Sequence, residues 1–544
     1  MTARYGQIAY RPLRAPREDR TVLMDPPFDA VGELVRENVQ LRGKHSYDFH
    51  GRSLADLRAL ARAELLRNAR RWTAAYRDVP PPATGQPDLI FLAGHQPQIF
   101  HPGVWLKNFA LGALARRHGA QAVNLVIDSD AAQTTALRVP GGTPAQPRAE
   151  LIPFDRATPA IPFEERSILD HELFASFGSR AAAQIGALVP DPLMDAYWPL
   201  VLRRMDATGN LGACLAQARH QLEGRWGLET CEIPQSWVCA AESFCWFAAH
   251  LLAELPRFRD VYNEAVGEYR RVYRVRSTAH PVPDLAAEGP WLEAPLWVWT
   301  GENPRRRRLF ACRRGREIAL SDRDTWEIAL PLPADGDASA AVDRLLQLGQ
   351  QGVRIRSRAL ITTLWARLVL GDLFVHGIGG AKYDQVTDLL MERFFGLRPP
   401  GVMVLSATLH LPVAHAHATP ADAGAIGQRL RELTYHPERY YDGSGNGPAG
   451  ASDDPAELTA AKAQWIGTPQ TPQNARTRCR AIRETNQRLQ PFLAAQRAEL
   501  IRRQAQIADA LQAEAIFAWR EYGFCLYPEE TLREFFAGLL PKSA

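Results

Sequence analysis

Cysteine is scarce in this chain: there are seven residues in 544, spread thinly. Only Cys231, Cys239 and Cys245 are near neighbours, and their gaps fit no zinc-ligand pattern. A disulfide framework is therefore not expected, and all seven are read as reduced, buried thiols. No stretch reaches about 18 uninterrupted apolar residues, so no membrane-spanning helix is expected. The start, MTARYGQIAYRPLRAPRED, lacks the apolar centre of a secretory signal, and a cytoplasmic location is expected. An excess of one charge is lacking too. The 64 Lys and Arg against 60 Asp and Glu leave a net charge of +4, which gives no ground for a nucleic-acid partner.

With 46% hydrophobic and 23% charged residues, the chain reads as an ordinary globular protein. Its length is too great for one simple core, so two or three packed units are expected. Residues 1–87 read as an N-terminal segment packing on the core. Within it Leu54, Leu57, Leu60, Ala61 and Leu65 recur at helical spacing, and Pro80, Pro81 and Pro82 then break the chain. Residues 88–93 (DLIFLA) suit a buried strand. A polar loop follows, then a helix over 104–118 capped by Gly119, then a second apolar run over 122–127. Strand, loop, helix and strand make a βαβ unit at the start of a core spanning 88–420. Residues 185–285 predict a helical insertion. Residues 290–325, alternating on either side of 301–304, predict a small antiparallel one. A helix is expected over 384–395. The glycine-rich stretch 441–455 is the clearest linker, and a helical domain is expected over 421–544, with Asp454 signalling a helix start. There Ile482, Leu489, Leu493, Leu500, Ile507 and Leu511 step by 7, 4, 7, 7 and 4, a coiled-coil seam kinked by Pro491. Such a seam must pack on another helix, of the same chain or of a second copy.

The densest chemistry lies in GHQPQIFHPGVWLK, residues 94–107. A strand-to-helix loop sits at the carboxyl edge of a parallel sheet, where ligands of open α/β folds gather. The helix start offers unpaired N–H groups suited to phosphate. His95 and His101 add donors that can become cationic, and Lys107 adds a fixed charge. Pro97, Pro102 and Gly103 fix the path. The expectation is an anion cradle, against the plainer reading that the histidines only cap a helix. The loop carries neither GxGxxG nor GxxxxGK[ST], so it is neither a standard dinucleotide site nor a P-loop. Asp128 and Asp130, after the second strand, suit Mg²⁺, a ribose hydroxyl or an amine, or else cap the next helix. In HGIGGAKYD, Gly377, Gly379 and Gly380 let a ligand approach the backbone, with Lys382, Tyr383 and Asp384 at an expected helix start. Ser406 and Thr408 share one face of a strand. The arginine run 305–308 reads as a solvated face, and Arg358 as a phosphate partner or a salt-bridged surface residue. His415 and His417 alternate and can face one ion, but no third ligand stands at a helpful spacing, and no metal site is assigned.

Taken in order, these segments resemble the cysteine-adding enzymes of bacillithiol biosynthesis, the BshC family, from about residue 88 to the C-terminus. The family's GQQP loop is similar to Gly94, His95, Gln96 and Pro97, with Pro102 and Gly103 where Gly-Pro is usual and Lys107 in the helix. Its EDHD segment resembles IDSD, its Gly-Gly turn Gly379 and Gly380, and its Ser-x-Thr strand Ser406 and Thr408. AIFAWREYG resembles its last helix. The chain departs at His95, where glutamine is preferred, at Ser129, where histidine stands, and at 382–384, which replaces a Pro-Gly-Glu-like sequence.

The resemblance implies an α/β, Rossmann-like, mostly parallel core with insertions and a C-terminal coiled coil that forms a homodimer. It implies a ligase-like enzyme joining an amino acid, cysteine in the family, to an amine of a small metabolite, with ATP or another nucleotide and Mg²⁺ as candidate cofactors. His95, His101 and Lys107 would stabilise phosphate charge. Asp128 and Asp130 would orient an amine, a ribose or Mg²⁺. Lys382 and Asp384 would meet the ligand's polar end. Two alternatives stay open: a nucleotidylyltransferase-type enzyme on the same core, and a catalytically inactive scaffold acting through the coiled coil.

Overall fold

The computed structural model describes residues 7–79, 89–277, 282–333, 336–441 and 453–539. The proline break at 80–82 and most of the linker at 441–455 lie outside them. The chain divides into two compact units. The first comprises Met1–Val139, Glu150–Leu411 and Arg520–Ala544; the second comprises Pro140–Ala149 and Pro412–Trp519. The expected C-terminal domain over 421–544 is thus shared between both units.

The first unit is mixed α/β around a six-stranded sheet, in the spatial order Thr21–Asp25, Met403–Thr408, Leu373–His376, Ile90–His95, Gln121–Val126 and Cys231–Pro234. All neighbours are parallel except Thr21–Asp25, which pairs antiparallel at one edge. Ile90, Phe91, Leu92 and Ala93 are all buried, as befits a strand covered on both faces. The Cys231–Pro234 strand lies inside the segment expected to be mainly helical. Four residues are too few for an alternation signal to register. The helices His171–Ile185, Met194–Thr208 and Leu211–Arg225 precede it, and Glu242–Ala253 and Leu255–Tyr273 follow. A second, antiparallel sheet contains Trp291–Thr300, Asn303–Arg314, Glu317–Ser321, Glu327–Pro331 and Val353–Ser357, so the β insertion runs well beyond 325.

Parallel strands from distant parts of the chain need a fixed register. Asp372 supplies it at the amino ends of the central pair. Its carboxylate accepts from the Ile90 amide at 2.9 Å and from Arg62 at 2.9 Å, and it also pairs with Arg42. Its own amide donates to the Ile90 carbonyl at 2.8 Å, and Asn38 donates to its carbonyl. Gly103, in the first turn of the Pro102–His118 helix, is required for a different reason. A Cβ there would stand 2.0 Å from the Ala407 carbonyl oxygen, so only glycine lets the helix start approach the Met403–Thr408 strand.

In the second unit, Pro420–Tyr435 packs on Ala494–Phe517, and Pro455–Gly467 on Ala475–Leu489. The Asp454 side chain accepts from the Ala456 amide, as its capping signal predicts. The helix is interrupted at Gln490–Leu493, the turn that holds Pro491. Leu489 and Leu493 are buried, whereas Leu500, Ile507 and Leu511 remain half-buried. Among the cysteines, Cys479 is exposed and the other six are buried. No helix of the described residues is long and apolar enough to cross a membrane.

Removing the Asp372 charge strands two arginines and a strand amide. Asp372→Asn should cost about 3–5 kcal/mol in chemical denaturation, as breaking a buried ion pair does. Asp29→Asn, which breaks the exposed pair with Arg117, should cost under ~1 kcal/mol. Equal effects would remove Asp372 from its anchoring role.

Candidate functional site at the carboxyl edge of the sheet

His95, Val126, Pro234, His376 and Thr408 end the five parallel strands along one edge. Connections from the Ile90–His95 strand run one way to Gln121–Val126 and Cys231–Pro234. Those to Leu373–His376 and Met403–Thr408 run the other way. In open α/β sheets such a reversal is where the ligand crevice lies, here at the strand ends His95 and His376, between the starts of the Pro102–His118 and Ile378–Arg393 helices.

The first helix start is closed. The His101 ring accepts from the Gly103 amide at 3.1 Å and serves as N-cap. Burial, then the nearby Arg520 and Lys107 charges, push the His101 ring down to about 3. Burial and Lys107 likewise hold His95 well below the usual imidazole range. Both rings are therefore neutral at pH 7. The expectation that they become cationic fails because each sits in a desolvated place already beside fixed positive charge. Lys107 is itself buried, and burial lowers it to about 8. Its ammonium donates to the Gly94 carbonyl at 3.0 Å, holding the end of the strand.

The second helix start is open. Its N-cap, Gly377, makes no side-chain cap, and a Cβ on Gly377 or Gly379 would meet nothing within 4 Å. Gly380, by contrast, packs against the His376 ring. The helix begins at Ile378, earlier than expected, which carries Asp384 well past the first turn. There Asp384 is buried and accepts from His376 at 2.9 Å and Arg367 at 2.6 Å. Burial alone would raise its pKa, but those partners outweigh it and keep Asp384 ionised. Lys382 is half-buried on the same helix.

Asp130 joins the stretches. It accepts from Gln96 at 2.9 Å and from Arg306 at 2.7 Å, and about a third of its side chain is exposed. Burial, then the Asp384 and Asp130 charges, push the Tyr383 hydroxyl up to about 12. Asp130 thus ties the 94–103 loop to the antiparallel sheet that carries Arg306, and its charge is felt at Tyr383 of the Ile378–Arg393 helix. Asp128 turns away: both its oxygens are taken by Ser236, from the backbone amide and the hydroxyl. Burial and the nearby Glu164 charge push Asp128 up to about 7, against the pull of Ser236 and Arg356. Thr408 donates to the Pro16 carbonyl, while Ser406 accepts from Arg520 at 3.2 Å. Pro97 packs near Gly212. A Mg²⁺ ion does not fit this donor set. Asp128 is hydrogen-bonded through both oxygens, and Asp130 already holds a guanidinium and an amide.

Sequence reasoning missed Arg306, Ser236 and Glu164. Arg306 was read as solvated. Yet strand alternation puts Arg306 and Arg308 on one face, and the Arg306 guanidinium lies 5.0 Å over the Trp297 ring, a signal already present in the Trp-rich partner strand. Arg358, likewise, is buried on Glu293 at 2.7 Å and stacked on Trp297. Ser236 and Glu164 carry no local pattern. No protein-family model matches the chain, and no curated protein matches it.

Asp128 gives a pH signature. The folded protein keeps its proton up to about pH 7, while the unfolded chain ionises it near pH 4. Stability contributed at this site is therefore lost as pH rises from about 4 to 7. Asp128→Asn should flatten the fall in denaturation midpoint between pH 5 and 7. An unchanged slope would show that Asp128 is ionised throughout.

Proposed function

We propose that the protein is a ligase-like enzyme that binds a nucleotide in the crevice between His95 and His376 and joins an amino acid to an amine of a small metabolite. The observation that carries this reading is the uncapped start of the Ile378–Arg393 helix, opening at Gly377 and Gly379 onto the point where the strand order reverses. Counting only the parallel strands in chain order, their spatial order is 3-2-1-4-5, the arrangement of doubly wound nucleotide-binding sheets, and it supports the Rossmann-like reading. The free N–H groups at the helix start suit a phosphate. Cysteine as the amino acid rests on the BshC resemblance.

The roles follow from the geometry. The amide N–H groups near Gly379 hold phosphate oxygens. Lys107 acts through Gly94, positioning the strand end rather than touching phosphate. An amine attacking an activated acyl group must lose a proton. The Asp130 carboxylate is the acceptor at hand, oriented by Gln96 and Arg306. Asp128, buried on Ser236, supports the edge of the neighbouring strand. A homodimer through the C-terminal seam is the accompanying proposal. It is supported by the half-buried Leu500, Ile507 and Leu511 and by the 49% exposure of Ile501.

The test uses the space at Gly379. A Cβ there has no atom of another element within 4 Å, and valine's helix propensity is no worse than glycine's, so Gly379→Val should leave the melting temperature nearly unchanged. It should nevertheless weaken ATP binding by at least ~10-fold, or about 1.4 kcal/mol, in calorimetric titration. Undiminished ATP binding in the variant would refute this placement. Absence of ATP binding in the unaltered protein would favour the inactive scaffold. If ATP binds, an amide product from amino acid and amine marks the ligase, whereas a nucleotidylated product marks the transferase.

A further inference from the structure

The second unit holds a side-chain cluster that the crevice does not use. His415 and His417 lie in the coil before the Pro420–Tyr435 helix, and Glu514 lies in the last turn of Ala494–Phe517. Folding brings the third group, absent from any local spacing, to both histidines. His415 Nε2 is 3.0 Å from Glu514 Oε2, and His417 Nδ1 is 2.9 Å from the same oxygen. The two rings lie 4.6 Å apart, and Phe517 flanks His415 at 4.9 Å.

Three features favour a cation at the centre of this cluster. First, His415 Nδ1 lies 2.8 Å from the Val413 carbonyl oxygen, which can only accept, so that nitrogen carries its hydrogen. In a neutral ring Nε2 is then a bare lone pair, and it faces a carboxylate oxygen. Only a second proton or a metal ion makes that contact attractive. A backbone carbonyl holding Nδ1–H is also the usual support behind a ligating Nε2. Second, Glu514 sits at a helix C-terminus, where the backbone dipole is already negative and a carboxylate needs a cation beside it. Third, the three ligand atoms lie within 4.8 Å of one another. A tetrahedral ion with bonds of about 2.0–2.1 Å wants its ligands roughly 3.3 Å apart, so small side-chain rotations suffice.

We propose that His415, His417 and Glu514 form a site for a borderline divalent ion of the Zn²⁺ or Co²⁺ class. Two imidazoles and one carboxylate are a zinc-type donor set, and they leave a fourth position for water. The His417 side chain is 77% exposed, so that position opens to solvent. The ion ties the coil at 412–418 to the end of the Ala494–Phe517 helix. The other convergent group, His220, Glu223 and Glu232, is different. Arg219 already lies between its two carboxylates, at 2.5 and 2.6 Å, and supplies the positive charge.

The experiment uses untagged full-length protein stripped with EDTA and dialysed to pH 7.5. Titration with Co²⁺ should give visible d–d absorption saturating at one ion per chain, and Zn²⁺ should bleach it. His417→Ala removes an exposed side chain and leaves the fold intact by circular dichroism. Both His417→Ala and Glu514→Gln should weaken Co²⁺ binding by at least ~10-fold. His436→Ala, a histidine beside the single carboxylate Glu438, should not. Lack of saturable Co²⁺ absorption, or binding undiminished in both variants, would overturn the proposal and leave a protonated His415 paired with Glu514.

Discussion

The carboxylate of Asp372 is the constraint on which the crevice depends. The strands Ile90–His95 and Leu373–His376 are separated by about half of the chain, yet they must lie side by side in one register for their carboxyl ends, at His95 and His376, to be neighbours. Asp372 accepts from the Ile90 amide and from two arginines of the N-terminal helices, in a place from which water is excluded. One buried charge thus couples strand register, N-terminal packing and the geometry of the opposite, carboxyl edge. A misregister of one residue would turn the central strand's side chains to the wrong faces.

At that edge, electrostatics divides the work between two helix starts. The Pro102–His118 start is filled by a neutral His101 and pressed against Ala407, so its amides are committed to the fold. The Ile378–Arg393 start has no cap and no Cβ at the two positions that border the crevice. Burial, reinforced by Lys107 at both rings and by Arg520 at His101, keeps the two loop histidines neutral. The negative charge is divided as well: Asp130 is ionic and partly exposed, while Asp128 is buried and shares its pocket with Glu164.

The βαβ unit was legible because an apolar run, a glycine cap and an apolar run leave a strong local pattern. The glycines at 377–380 stand out in the sequence, but the helix expected from 384 begins among them, at Ile378, while Ser406 and Thr408 fall on a strand as expected. What escaped was decided by distance. The Cys231–Pro234 strand is defined by its neighbours rather than by its own four residues. The neutrality of His95 and His101 comes from burial against Lys107 and Arg520, the latter from the far end of the chain. Asp128 and Asp130 look equivalent in IDSD, yet one meets Ser236 and the other Arg306, more than a hundred residues away in each case. Glu514 completes a histidine pair for which no partner stood near in the sequence.

The central claim is that loop 94–103, Asp130 and the Ile378–Arg393 helix start form one ligand crevice at the strand-order reversal. It is tested most directly by a crystal structure of the protein grown with ATP. The account predicts phosphate density against the amides of Gly379 and its neighbours, within reach of Tyr383 and the Asp130 surroundings. Nucleotide density on a surface away from the carboxyl edge, with the crevice holding only water, would contradict it.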